Sequence, residues 1–328
     1  MIAITGGSGF IGSSLCAGLN DAGSPFVILD KRKSPVFRDH WQYVDICDIS
    51  KLRAAVSGEA IIHLAAEHRD DVRDRSRYAA VNVEGTRNVA SVAAEKGINR
   101  IVFTSSVAVY GFAPPDTGED GEISPFNDYG RTKFQAEQIL RSWQAAAPNE
   151  RSLVIVRPTV VFGPGNRGNV YNLLSFIRSG RFFMVGTGEN RKSMAYVENV
   201  AAFLQHATTF GPGVHLYNYV DKPDVTMNEL VAEVRKTLFG KSGVGPRIPR
   251  WLGLIAGKAA DVVSRLTGRT LPISAIRVRK FTATTAFSSA TGHVSGFAPR
   301  HTLAEGIRMT LQREFISPDP NAPVFYTE

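Results

Sequence analysis

The 328-residue sequence predicts an α/β fold: a doubly wound parallel sheet joined to a smaller, mixed α/β C-terminal part. Three observations carry that expectation. Short apolar runs rich in β-branched residues, such as Ile2-Ala3-Ile4, Phe26-Val27-Ile28-Leu29 and Ile101-Val102-Phe103, read as strands covered on both faces. Helical apolar spacing, as at Ile11, Leu15 and Leu19, lies between them. Small or polar residues follow the strands, at the edge where open parallel sheets bind ligands.

The first strand runs into Thr5-Gly6-Gly7-Ser8-Gly9-Phe10-Ile11-Gly12, which opens a helix. The spacing Gly6-x-x-Gly9-x-x-Gly12 lets backbone, Phe10 and Ile11 included, approach a diphosphate at the helix N-terminus. The second strand ends in Asp30, 18 residues past Gly12. An acid there accepts hydrogen bonds from an adenosine ribose, which favours NAD over NADP. Lys31, Arg32 and Lys33 keep a 2′-phosphate open as the lesser reading. Asp45-Ile46-Cys47-Asp48-Ile49 reads as the turn after a third strand, with Asp48 and Ile49 placed to meet adenine. Asp48 is also available as the N-cap of a helix over 49–57. In the fourth strand, Ile61-Ile62-His63-Leu64-Ala65-Ala66, the last three residues bring backbone close to the cofactor. His63 reads as a packed strand-end residue, and Asn82 as a brace for the strand ends.

Ser105-Ser106 closes the strand Ile101–Thr104, and 23 residues after Ser106 comes Tyr129-Gly-Arg-Thr-Lys133. Asn127 and Asp128 offer an Asx-type cap for a helix carrying Phe134, Ala136, Ile139 and Leu140. Tyr129 and Lys133 are four apart, so they share a helix face. An ammonium near a phenol favours the phenolate. A phenol, an ammonium and a hydroxyl at a sheet edge are the parts needed to move a proton on or off a sugar hydroxyl.

The composition, 43% hydrophobic and 21% charged, is that of an ordinary soluble globular protein. The length allows one large domain or two joined ones. The expected division is a cofactor-binding domain over 1–163, its sheet completed by about 195–220, and a substrate-binding domain over 164–194 and 221–328. Cys16 and Cys47 have no metal spacing and suit a reducing compartment. No signal peptide and no bilayer-length apolar run is seen, so a cytoplasmic location is expected, extending to the inner face of the plasma membrane. The net charge is +8, and residues 241–280 hold nine Lys or Arg against Asp261, which matches the whole surplus. Trp251–Gly257 is apolar within that stretch. Two readings stand: a basic amphipathic segment on an anionic membrane, and, slightly preferred, a core-packing helix with a solvated basic edge. Nucleic-acid binding is not expected, because the stretch lacks interleaved aromatics and any known module.

In order, these motifs resemble the extended short-chain dehydrogenase/reductase family, in its NAD-dependent epimerase/dehydratase group, from Met1 to about Asn218. The resemblance implies a Rossmann-type sheet, bound NAD, a dimer through helices such as 78–96 and 128–146, and Ser106, Tyr129 and Lys133 as the catalytic set. It also implies that the chain returns to the sheet near Tyr196–Asn199 and His215–Asn218. A closer similarity is to bacterial 4-epimerases acting on N-acetylglucosamine linked through diphosphate to undecaprenol. It rests on Ala65-Ala66-Glu67-His68-Arg69-Asp70-Asp71-Val72, on Arg167-Gly168-Asn169-Val170-Tyr171-Asn172-Leu173-Leu174, on Lys192-Ser193-Met194-Ala195-Tyr196-Val197 and on Tyr217-Asn218-Tyr219-Val220-Asp221-Lys222-Pro223, and it extends as far as Phe281-Thr282-Ala283-Thr284-Thr285.

Nucleotide-sugar epimerases usually carry an Asn where this chain has Val160, and Arg-Asp where it has Lys192-Ser193. The resemblance thus implies reversible oxidation at C4 of an amino sugar carried on undecaprenyl diphosphate, for O-antigen or other surface polysaccharide. A UDP-sugar 4-epimerase and a nucleotide-linked 4-keto-sugar reductase are the alternatives. His68, Arg69, Arg167, Asn169 and Arg191, with Ser106, are the expected substrate contacts. Arg167 and Arg191 are the candidates for forked binding of the diphosphate.

Overall fold

The computed structural model describes residues 1–69, 74–267 and 274–327. Asp70, Asp71 and Val72 of the motif above, and Arg269 of the basic stretch, lie outside them. Six strands come first: β1 (Ile2–Thr5), β2 (Phe26–Asp30), β3 (Trp41–Tyr43), β4 (Ala60–His63), β5 (Arg100–Thr104) and β6 (Ser152–Pro158). Four short ones follow: β7 (Val160–Phe162), β8 (Met184–Val185), β9 (Arg191–Lys192) and β10 (Met194–Tyr196). β11 (Gly213–Tyr219) then rejoins the main sheet, whose order is β3-β2-β1-β4-β5-β6-β11 with every pairing parallel. β6 is buried along its whole length, as a parallel strand covered on both faces requires.

The helices are α1 (Phe10–Asp21), α2 (Ile49–Ala55), the single turn α3 (Ser76–Tyr78), α4 (Gly85–Glu95), α5 (Asp128–Ala145), α6 (Asn169–Arg178) and α7 (Val197–Ala207). After β12 (Val225–Thr226) come α8 (Met227–Phe239), β13 (Arg247–Ile248), α9 (Arg250–Thr267), α10 (Ala275–Thr282) and α11 (Leu303–Leu311). Leu52, Val89, Leu140 and Trp143 bury α2, α4 and α5 on one sheet face. Leu15, Leu19, Phe203 and Leu204 bury α1 and α7 on the other. A third cluster, including Phe162, Leu174, Met184, Tyr196, Leu230 and Leu303, unites α6, α8 and α11 with the short strands.

Three expectations need correction. Only the His215–Asn218 segment joins the main sheet; Tyr196 ends β10, which pairs with β7, and Val197–Asn199 opens α7. Val197, Val200, Ala201 and Leu204 repeat at helical spacing and are buried, and that period wins. The helix expected over 49–57 stops at Ala55, because Val56 is extended and turns its side chain into the core. Helix α9 leaves Trp251, Leu252, Ile255, Val262 and Val263 exposed instead of packing them inward. Gly253 and Gly257 face the protein, since a Cβ on Gly253 would lie 2.7 Å from Val185.

Candidate active site

A cleft of about 380 Å³ opens where the strand order reverses between β1 and β4. Chains leaving those two strands part in opposite directions, which creates the crevice. Gly6 adopts φ 74°, and a Cβ there would lie 2.5 Å from Ala65 N. Only glycine lets the β1–α1 turn press against the loop after β4. A Cβ on Gly12 would meet Gly7 Cα at 2.6 Å, so it too serves tight packing. Gly9, Phe10 and Ile11 line the cleft at the N-terminus of α1, which has no side-chain cap. Its first N–H groups, at the positive end of the helix, remain available to an anion.

Asp30 ends β2 on the cleft wall, with Lys31 and Arg32 beside it. Its carboxylate accepts hydrogen bonds from Ser8 N (3.1 Å) and Arg32 N (2.9 Å). Burial nevertheless pushes its pKa above the ordinary value. Leu64, Ala65 and Ala66 continue the wall. Asn82 holds the loop behind them, accepting from Glu67 N at 2.8 Å and donating to Glu67 O at 2.9 Å. His63 is buried between Thr5 and Thr86, and desolvation pushes it down to about 3, so it stays neutral. Asp48 and Ile49 do not line the cleft. Asp48 caps α2 by accepting from Lys51 N at 3.1 Å, and the wall there is made by Val44, Asp45 and Ile46.

Ser106, Tyr129 and Lys133 all line the cleft. Ser106 caps the short turn Val107–Tyr110, accepting from Ala108 N at 3.1 Å. Tyr129 is the second residue of α5, whose cap is Asn127 accepting from Gly130 N at 2.8 Å. A Cβ on Gly130 would lie 2.3 Å from Ala108 O, so glycine allows α5 to abut the Ser106 turn. Lys133 is buried, its Nζ 4.1 Å from the centroid of the Phe103 ring. Desolvation pushes it down to about 7 from 10.5, against the opposing pull of Glu137.

Glu137 lies one turn past Lys133, fully buried, and sequence reasoning missed it. Arg157 Nε and Nη2 donate to its two oxygens at 2.9 and 2.6 Å, and Ser105 Oγ donates at 2.5 Å. Arg157 Nη1 also donates to Tyr110 Oη (2.7 Å), which donates to Asn218 Oδ1 (2.8 Å). The available signal was a charge on the apolar face of α5 and another inside an apolar strand.

Among the expected substrate contacts, His68 and Arg69 line the cleft. Asn169 opens α6 and lines an adjoining recess of about 50 Å³ that shares Val160, Asn166 and Thr327 with the cleft. Arg167 and Arg191 do not line it. Arg167 Nη1 lies 2.8 Å from Glu314, with its guanidinium over the Tyr171 ring, and Arg191 pairs with Asp116 at 2.6 Å. Lys192 donates to the carbonyls of Lys280 (2.9 Å) and Ala283 (2.7 Å). Sequence reasoning also missed the Arg77–Glu67 pair (3.0 Å), Asn166 and Thr327 on the cleft wall.

Because folding lowers the Lys133 pKa, the ammonium form carries a cost that grows as pH falls from 10.5 toward 7 and is complete below it. Lys133→Met removes that cost. The ligand-free variant is expected to be more stable than wild type by at least about 2 kcal/mol below neutrality, while losing activity. Urea unfolding across pH checks this: the advantage should disappear above about pH 10.5.

Residues 2–218 match the NAD dependent epimerase/dehydratase family. Over 100% of this chain and 99% of the relative, the sequence is 45% identical to the N-acetyl-alpha-D-glucosaminyl-diphospho-ditrans,octacis-undecaprenol 4-epimerase of Escherichia coli O157:H7. It is 28% identical to the UDP-glucose 4-epimerase of Vibrio cholerae, over 95% of this chain and 94% of that one. The Bordetella bronchiseptica enzyme WbmG, solved in complex with NAD and UDP, shares the fold. Its TM-score is 0.73 at 19% identity, over 99% of this chain and 96% of that one. By its sequence match and its sheet, the chain belongs to the NAD dependent epimerase/dehydratase family.

Proposed function

We propose that this protein is an NAD-dependent 4-epimerase that interconverts N-acetylglucosamine and N-acetylgalactosamine carried on undecaprenyl diphosphate, through a transient 4-keto sugar. The observation that carries the reading is the meeting of Ser106, Tyr129 and Lys133 on one cleft, in a chain alike from end to end to an enzyme named for that substrate. The residues present fit NAD: the uncapped α1 N-terminus suits its diphosphate, and the Asp30 carboxylate suits an adenosine ribose. When bound, NAD supplies a nicotinamide that takes up and returns the C4 hydrogen with its electron pair.

Tyr129, as phenolate, accepts the O4 proton, and Ser106 donates a hydrogen bond to the oxygen that becomes the carbonyl. Lys133 in its ammonium form stabilises the phenolate and meets the nicotinamide ribose. Once the keto sugar presents its other face, Tyr129 returns the proton and the cycle closes with no net redox change. Val160, exposed on the cleft, offers no hydrogen bond where an amide would hold a nucleotide-linked diphosphate. With Arg167 and Arg191 engaged elsewhere, His68 and Arg69 are the diphosphate contacts in this reading. It also includes residues 164–194 and 221–328 as the sugar-binding part, a homodimer through α4 and α5, and action at the inner face of the plasma membrane.

Purified protein is therefore expected to retain NAD and to interconvert its substrate with no cofactor added. A requirement for stoichiometric reduced cofactor would instead mark a keto-sugar reductase. Quantifying nucleotide released on denaturation, alongside turnover, distinguishes the two.

A further inference from the structure

Helix α9 presents large apolar side chains to solvent. A helix on a globular core normally points its large apolar side chains inward. Here Gly253 and Gly257 are buried, while Trp251 (61% exposed), Ile255 (57%) and Val262 (54%) face solvent. Glycine is required on the inner face: a Cβ on Gly257 would lie 2.7 Å from Ala275 N. Trp251, Ile255, Lys258 and Val262 recur at i, i+4, i+7 and i+11, so they form one outer stripe. Ile276 of α10, also exposed, adds to the apolar surface of the pair.

An exposed apolar patch marks a surface that meets a partner, and its charge indicates which. Arg250, Lys258, Arg279 and Lys280 are exposed on the same two helices. Asp261, the acid of this stretch, is occupied in packing and accepts from Ala275 N at 3.1 Å. A second copy of the chain would bring these cations against their equals across a two-fold axis. An anionic lipid surface offers the opposite charge and an apolar boundary for Trp251. Among the described residues no helix is long and apolar enough to cross a membrane, which agrees with a helix lying in the interface.

We propose that α9, with the start of α10, docks the protein onto an anionic lipid surface. Trp251, Ile255 and Val262 enter the acyl boundary, and Arg250, Lys258, Arg279 and Lys280 meet the lipid phosphates. The proposal rests on the reading of a lipid-linked substrate and adds how enzyme and substrate come to share a plane.

Sedimentation of the full chain with vesicles of phosphatidylcholine and phosphatidylglycerol in equal parts tests it. Wild type is expected to sediment with them, to stay in solution with phosphatidylcholine alone, and to bind less as salt rises. Trp251→Ser combined with Ile255→Ser should weaken binding by about tenfold or more. Lys258→Glu should weaken it and flatten the salt dependence. All three proteins should turn over detergent-dispersed lipid-linked sugar alike, because the substitutions touch only the outer stripe. Wild type that binds vesicles yet converts only UDP-linked sugar would refute the substrate reading and leave the docking surface supported. Wild type that stays in the supernatant with anionic vesicles overturns the docking proposal. So do serine variants that bind like wild type, or that lose a concentration-dependent dimer without changing vesicle binding.

Discussion

Tyr129→Phe is expected to lower epimerase turnover by about 10³-fold while the purified variant still carries NAD. The substitution deletes one oxygen at a half-buried position on α5 and leaves the cap at Asn127, the Gly130 contact and buried Lys133 in place. The cofactor contacts proposed for Gly9–Ile11 and Asp30 lie on other elements, so nucleotide content should be unchanged. What disappears is the group that takes and returns the O4 proton. Ser106 does not replace it, because a serine hydroxyl is a far weaker acid than a phenol and does not ionise to accept the O4 proton. Single-turnover assays with the bound nucleotide monitored would separate this loss of chemistry from loss of binding. Retention of most of the turnover would sink the assignment.

Arg157→Met is expected to destabilise the fold by about 3–5 kcal/mol. Glu137 is fully buried, and in wild type both of its oxygens receive Arg157 N–H groups. Removing the guanidinium takes two donors from a buried carboxylate that the Ser105 hydroxyl still bonds, and it also deprives Tyr110 of the Arg157 donor. Glu137→Leu added to Arg157→Met should recover much of the loss, since an apolar pair of similar volume needs no charge compensation. A urea-unfolding double-mutant cycle reads the coupling directly. Additive losses in the cycle would mean that the pair acts as two separate packing residues.

How much of this was legible depended on whether a residue's partners were local. The β1–α1 turn could be read because Gly6, Gly9 and Gly12 lie between a strand and a helix within one short segment. Tyr129 and Lys133 could be read because helical spacing alone puts them on one face, and Ser106 because it ends a strand. Asp48 could be read as a cap but not excluded from the cleft, since the position of the wall depends on where the chain turns after β3. Arg167 and Arg191 looked free to grip a diphosphate; their partners, Glu314 and Asp116, are remote in sequence and emerge only on folding. The inward glycines of α9 were hidden for the same reason, because Val185 and Ala275 approach it from other segments. The Glu137–Arg157 pair joins α5 to β6, and only the sheet register brings its halves together.

The central claim, C4 inversion of an amino sugar on a lipid diphosphate, is tested most directly by offering the purified protein two substrates in separate reactions. One is N-acetylglucosaminyl-diphospho-undecaprenol in detergent, and the other is UDP-N-acetylglucosamine. Released sugars are then resolved as the gluco and galacto epimers. The account predicts N-acetylgalactosamine from the lipid-linked substrate, with no cofactor added and little or none from the nucleotide-linked one. Epimerisation of the UDP-linked sugar alone, or of neither substrate, would contradict it.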